Sequence, residues 1–122
     1  MKIGREDPPL FAKTDAVLQG TIELLVLKRL SRGPMHGSGI ASWIETATDD
    51  VLRVEEGSLY PALYRMAQKG WIKGEWGTSD NNRRAKFYRL TTAGQREFEE
   101  QASGWVRLSK AVTRAVASTD LL

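Results

Sequence analysis

Residues 71–90 limit the possible folds of this chain more than any other segment. Two runs, 71–76 and 83–90, combine aromatic, aliphatic and long polar side chains in a way that suits a pleated strand. Between them, residues 77–82 are polar and rich in types that favour turns. The pattern predicts a β-hairpin with a polar tip, against which the rest of the chain must pack.

Two helical patterns open the sequence after a non-periodic start with two adjacent prolines. Residues 16–30 carry apolar side chains on nearly every face, which is typical of a central core helix, and Gly33-Pro34 ends it. A second helix is predicted next, with Ser38 as its N-cap. Its single apolar stripe follows helical spacing: Ile40, Trp43, Ile44 and Ala47.

A third helix is predicted over residues 56–69, with Gly70 suited to the position after its end. Its apolar stripe comprises Leu59, Ala62, Leu63 and Met66. The polar side chains on or near the opposite face are candidates to contact a partner, and Pro61 belongs in or just after the first turn of the helix.

A last helix follows the hairpin, and Thr92 with Gln95 matches a capping box at its start. Its seam positions alternate in steps of four and three, as in a coiled coil, with one polar interruption. They are Phe98, Ala102, Trp105, Ser109, Val112 and Val116. This seam predicts packing against a second copy of the chain.

The order of these patterns predicts an α+β fold, mainly α. It is a winged helix-turn-helix of three helices and a two-stranded β-hairpin wing, with a C-terminal dimerisation helix. We expect an N-terminal arm at residues 1–15, a winged-helix domain at 16–91 and the dimerisation helix at 92–122.

The charge distribution points to a polyanionic partner. The chain has a net charge of +3, whereas residues 53–89 alone hold eight basic and four acidic side chains. Basic side chains of the wing can meet DNA phosphates, and polar groups of the third helix can read base edges. The predicted DNA contacts are Ser58, Tyr60, Pro61, Tyr64, Arg65 and Gln68 on that helix, and Arg83, Arg84 and Lys86 on the wing.

Four ordered motifs resemble the PadR family of transcriptional regulators. They lie at residues 18–27, 33–40, 56–63 and 88–94, and the strongest is the run Glu-Gly-Ser-Leu-Tyr-Pro-Ala-Leu at 56–63. The resemblance implies a homodimeric repressor of the short type, which binds double-stranded DNA. It also implies that Trp105 matches the tryptophan with which multidrug-sensing members contact a small aromatic effector. Ser38 and Tyr64 depart from the family, where tyrosine and a basic residue are common.

Other functions find little support. There is no cysteine, His36 is the single histidine, and no nucleophile–base arrangement stands out, so we expect no metal, no cofactor and no enzyme. A turn or capping role suits His36 better. Without a signal sequence or a membrane span, we expect a cytoplasmic protein.

Several alternatives stay open. A winged helix used for protein–protein interaction without DNA binding is the main rival function. Arg83 and Arg84 could be a solvated turn, Tyr60 a residue at the core edge, and Trp105 a seam residue only. We expect the remaining tryptophans to pack in the core or the hairpin: Trp43, Trp71 and Trp76.

Overall fold

The computed structural model describes residues 16–119, so the predicted arm at 1–15 and the last three residues lie outside the described part. The described part contains four helices and three short strands. In chain order they are α1 (Ala16–Leu30), β1 (Met35–His36), α2 (Gly37–Ala47), α3 (Glu56–Gln68), β2 (Ile72–Thr78), β3 (Arg84–Leu90) and α4 (Thr92–Ala117). The winged-helix order of helices followed by a hairpin is confirmed.

The core lies between α1, α2, α3 and the base of the sheet. Val26 and Leu27 of α1 are fully buried, as the apolar pattern on all faces of this helix predicts. The stripe of α2 contributes Ile40 and Ile44, and the predicted stripe of α3 is buried over its whole length. Trp43 and Trp71 pack at the edge of this cluster, as expected.

The sheet has three strands in the order β1-β3-β2, not the two that the sequence predicts. β2 and β3 form the antiparallel hairpin, with Gly74 opposite Tyr88 and Trp76 opposite Lys86. β1 adds only two residues, Met35 and His36, on the other edge of β3. Two residues are too few to show the alternation that identifies a strand. This extra strand ties the start of α2 directly to the wing.

The observed N-caps of α2 and α4 lie one or two residues before the predicted ones. The N-cap of α2 is His36, whose Nδ1 accepts a hydrogen bond from the backbone N–H of Gly39 at 3.0 Å, so the assignment of Ser38 was wrong. The Ser38 hydroxyl lies 3.1 Å from the same nitrogen. The N-cap of α4 is Thr91, not Thr92, and its Oγ1 accepts from the N–H of Gly94. The capping role expected for His36 is confirmed.

Thr91 also fastens α4 to the end of α3. Its hydroxyl donates to the carbonyl oxygen of Gly70 at 2.6 Å, with the carbonyl of Trp71 at 3.1 Å. Gly70 has a φ of 79°, the left-handed conformation expected of the residue that ends α3. The first turns of α4 therefore belong to the domain, whereas from residue 103 onward every residue of the helix but Ser109 is exposed.

Candidate nucleic-acid interface

A cleft opens between the start of α2, the side of α3 and the inner face of the hairpin. We call it the wing cleft; its volume is about 420 Å³. Two cations, Arg84 and Lys86, stand on its hairpin side. Its aromatic walls are Tyr60, Trp76 and Tyr88, and His36, Gly37 and Ser38 complete it.

Two of the aromatic residues that line the wing cleft, Tyr60 and Tyr88, pack against the domain. Tyr88 is 8% exposed and packs in the core, and Tyr60 lies so close to Gly37 that no side chain could fit there without moving the ring. Burial raises the pKa of Tyr88 above its usual 10.0, and the nearby Tyr60 raises it further. The Tyr88 hydroxyl therefore keeps its proton at neutral pH and can donate a hydrogen bond, as contact with an anion requires.

The wing is basic and carries an unexpected exposed tryptophan. Trp76 is 60% exposed, so it does not pack in the core, and of the two expected environments only the hairpin remains. The guanidinium of Arg84 stacks 4.9 Å from the centre of its ring. Because cations over an indole are attracted by the face of the ring, this pair keeps Arg84 beside the cleft. Arg83 lies next to the tip, and its carbonyl oxygen accepts from the N–H of Ser79.

One face of α3 points away from the core and carries no charge. The members of this outer stripe follow steps of four, three and four along the helix. They are Gly57, Pro61, Tyr64 and Gln68, and Tyr64 is 67% exposed. Tyr60 lies on the flank that faces the wing cleft, whereas Ser58 is half-buried on the opposite flank.

Arg65 is set apart from the other predicted contacts. Its Nε donates to Oε2 of Glu23 on α1 at 3.4 Å, so the side chain turns toward the scaffold rather than along the outer stripe. Its role as a DNA contact stays a prediction. The sequence pattern does not single out Glu23, because one acidic residue in a helix that is apolar on nearly every face gives no pattern, and its partner lies 42 residues away.

The seam predicted on α4 divides into two parts. Phe98 packs against the core and Ala102 is half-buried, so the first positions contact the chain's own domain. Trp105, Val112 and Val116 are exposed, and the structure adds Leu108, which the predicted seam left out in favour of Ser109. Pairing with a second copy remains a prediction for this exposed stretch.

Trp105 also lines a groove between α4 and α1, with a volume of about 400 Å³. Gly20, Thr21 and Leu24 supply the α1 side, and Gln101, Gly104 and Leu108 supply the rest. The residue predicted to contact an effector thus lies beside an open, shallow groove whose lining is mainly apolar.

No helix within residues 16–119 has the length and apolar character needed to cross a membrane. Nor do three histidine, aspartate or glutamate side chains come together in that part of the chain as metal ligands would.

The helix-turn-helix core, the basic hairpin and the cleft between them define a winged-helix DNA-binding protein. More particularly, the chain belongs to the transcriptional regulator PadR-like family, whose model matches residues 26–100. The resemblance found in the four sequence motifs is confirmed. The family consists of regulators of transcription rather than enzymes, so DNA-binding transcriptional regulation is the function class of this chain.

Solved structures agree with this assignment. The chain is similar to a transcriptional regulator from Clostridium thermocellum, with a TM-score of 0.73 and 27% identity over 85% of this chain and 100% of that one. A PadR-like transcriptional regulator from Bacillus cereus gives a TM-score of 0.73 and 26% identity, over 85% and 99% of the two chains. An uncharacterised protein of Lysinibacillus sphaericus is 21% identical over 96 residues, or 79% of this chain and 88% of that protein.

Proposed function

We propose that this protein is a transcriptional repressor that binds an inverted-repeat operator as a homodimer. In this proposal α3 enters the major groove, and the wing meets the adjacent backbone. A two-fold dimer places its two α3 helices on half-sites about one helical turn apart. Regulation of transcription requires access to DNA, so the proposal includes the cytoplasmic location expected from the sequence.

The observation that carries the proposal is the distribution of charge between the wing and α3. Exposed cations, Arg83, Arg84 and Lys86, stand on the wing, whereas the outer stripe of α3 is uncharged. Phosphate contacts supply affinity for any sequence, and uncharged polar side chains discriminate between base edges. We assign phosphate contact to the wing cations and base contact to Tyr64 and Gln68, with Ser58, Tyr60 and Pro61 beside them.

The test is a titration of fluorescently labelled DNA from the gene's own upstream region, followed by anisotropy at two salt concentrations. A scrambled duplex is the control. We expect saturable binding that favours the upstream duplex and weakens as salt rises, because bound cations displace counterions. Absence of binding to either duplex at low salt would favour the rival function, a winged helix for protein–protein interaction.

The double variant Arg83→Ala, Arg84→Ala tests the wing in the same assay. We expect weaker binding to both duplexes and a salt slope reduced by up to about 0.9 for each lost phosphate contact. Unchanged affinity at both salt concentrations would show that these arginines form a solvated turn.

We also propose that a planar, apolar or aromatic effector occupies the groove beside Trp105 and lowers operator affinity. An effector acts only through a difference in affinity between two states of the protein, and a groove between α1 and α4 can change with their spacing. Repeating the titration with planar aromatic compounds tests this, with Trp105→Phe as the comparison. Equal operator affinity with and without every compound would contradict the effector role.

A further inference from the structure

Glu23 is a buried acid that the proposed DNA contacts do not use. Among the residues whose burial is described, it is the only buried charged side chain, at 9% exposed. Removing a carboxylate from water is costly unless cations and hydrogen bonds compensate it. The partners of Glu23 therefore identify what it holds in place.

Both partners belong to α3: Arg65 lies in its last turn and Lys69 is its C-cap. Oε2 of Glu23 accepts from Nε of Arg65 at 3.4 Å, and Oε1 lies 4.0 Å from Nζ of Lys69. Arg65 and Lys69 are four residues apart, so they occupy one side of α3, and they are the only basic residues between positions 56 and 69. Lys69 also makes a cation–π contact, since its ammonium lies 4.5 Å from the centre of the Trp71 ring.

Arg65 and Lys69 do not lie on the outer stripe of α3, to which we assign the main base contacts. On a helical wheel of 100° per residue, Arg65 lies between the buried stripe and the outer stripe of Pro61, Tyr64 and Gln68. Glu23 draws it toward α1. Because the carboxylate is mostly buried, salt screens this attraction less than it screens a surface pair.

We propose that Glu23 is a positioning residue that sets sequence specificity. It keeps Arg65 and Lys69 against α1, so that α3 meets the bases with uncharged groups while the wing neutralises the phosphates. A cation that reached a phosphate from α3 would strengthen binding to every sequence and so reduce the operator's advantage. This inference rests on the proposed DNA-binding function.

The first variant is Glu23→Gln, compared with the unmodified protein on the upstream and scrambled duplexes between about 50 and 200 mM salt. We expect tighter binding to the scrambled duplex and a smaller ratio of the two affinities. Each released cation that contacts a phosphate steepens the salt slope by about 0.9, an extra loss of about 3.5-fold over that salt range. Glu99→Gln is the control: it removes the same charge from an exposed position of α4 that hydrogen-bonds Gln95.

The second variant, Arg65→Gln, keeps the test decisive if Glu23→Gln folds poorly. If Arg65 is held off the DNA, its loss alone leaves the salt slope unchanged on both duplexes. In the double variant with Glu23→Gln, the salt slope should be less steep than in Glu23→Gln alone, because the contribution of the released Arg65 is lost. A salt slope shallower by about 0.9 in Arg65→Gln alone would mean that Arg65 already contacts a phosphate in the unmodified protein. That result would overturn the proposal.

The unmodified protein separates the two possible failures. Its failure to bind either duplex would overturn the proposed function, and the role of Glu23 with it. Normal binding by the unmodified protein, with a folded Glu23→Gln variant of the same affinities and slope, would overturn the role of Glu23 alone. Circular dichroism and thermal melting establish that each variant is folded.

Discussion

At the scale of single residues, the interface combines groups that the core fixes with groups that remain free to contact a partner. Tyr88 packs into the core and lines the wing cleft, whereas Tyr64 is exposed on the outer stripe. The stacked pair of Trp76 and Arg84 lies between these extremes, since each restricts the other. Residues of the first kind shape the wing cleft, whereas those of the second kind are the ones that we propose to contact DNA.

The raised pKa of Tyr88 predicts a specific alkaline effect on stability. Between pH 10 and the pKa in the folded state, the unfolded chain loses the Tyr88 proton first and so binds fewer protons than the native state. The free energy of unfolding therefore falls with rising pH in that window, by at most about 1.4 kcal/mol per pH unit, and Tyr88 adds no slope well below pH 10.

Urea unfolding of Tyr88→Phe at several pH values from neutral to 11 measures this effect. The variant should show a shallower alkaline decline than the unmodified protein, with lysine ionisation common to both. Tyr64→Phe, at the exposed position, should keep the full slope. Identical slopes in all three proteins would contradict the assigned environment of Tyr88.

At the scale of elements, the start of α4 packs closely against the segment that joins α3 to β2. A Cβ on Gly94 would lie too close to the carbonyl oxygen of Trp71 and 2.9 Å from Cδ2 of Leu90. Gly94→Ala must therefore push α4 away from this contact, and we expect a loss of about 1–3 kcal/mol in the free energy of unfolding.

Gly104 provides the matched control within the same helix. A Cβ there would meet nothing within 4 Å, so Gly104→Ala should stabilise the protein by up to about 1 kcal/mol through better helix propensity. Chemical denaturation of both variants measures the difference. Equal effects at the two positions would mean that the contact at Gly94 does not restrain α4.

The same elements show what the sequence could predict. Bounds that rest on long apolar periodicity were accurate: α1 was predicted at 16–30 and observed at Ala16–Leu30. Features that depend on one or two residues were missed or displaced, such as β1 and the caps at His36 and Thr91. A neighbouring threonine or serine offers an equally plausible cap, and only the path of the backbone chooses between them.

The candidate site shows the same limit. The sequence indicated α3 and the hairpin as the elements that carry the predicted DNA contacts, but it did not predict a cleft between them or the part that the start of α2 takes in it. It did not reveal the ion pair of Glu23 with Arg65 or the exposure of Trp76. Both depend on how distant elements pack, and a helical or strand period carries no information on that.

At the scale of the whole molecule, α1 connects three regions. Its buried side chains form the centre of the core, Glu23 contacts the basic side of α3, and Leu24 lines the groove beside Trp105. Glu23 and Leu24 are adjacent on α1, so an effector that displaced this part of α1 would disturb the ion pair with α3 as well as the groove.

The exposed half of α4 leads to the last prediction, which concerns assembly. Trp105, Leu108, Val112 and Val116 share one side of the helix, and Val116 is 80% exposed. So large an apolar stripe on a helix that extends beyond its own core is typical of a surface that a second copy covers. We therefore expect a dimer at micromolar concentration in sedimentation velocity.

Val112→Glu should shift this equilibrium to the monomer, since each subunit would place an unpaired charge within the apolar interface. Ser103→Glu is the control, because it adds the same charge on the opposite side of α4. Both variants should keep the helical content of the unmodified protein, as neither position contributes to the core. Loss of the dimer should also weaken operator binding, since two half-sites are then no longer bound together. A dimer that survives Val112→Glu, or an unmodified protein that sediments as a monomer, would exclude this side of α4 as the interface.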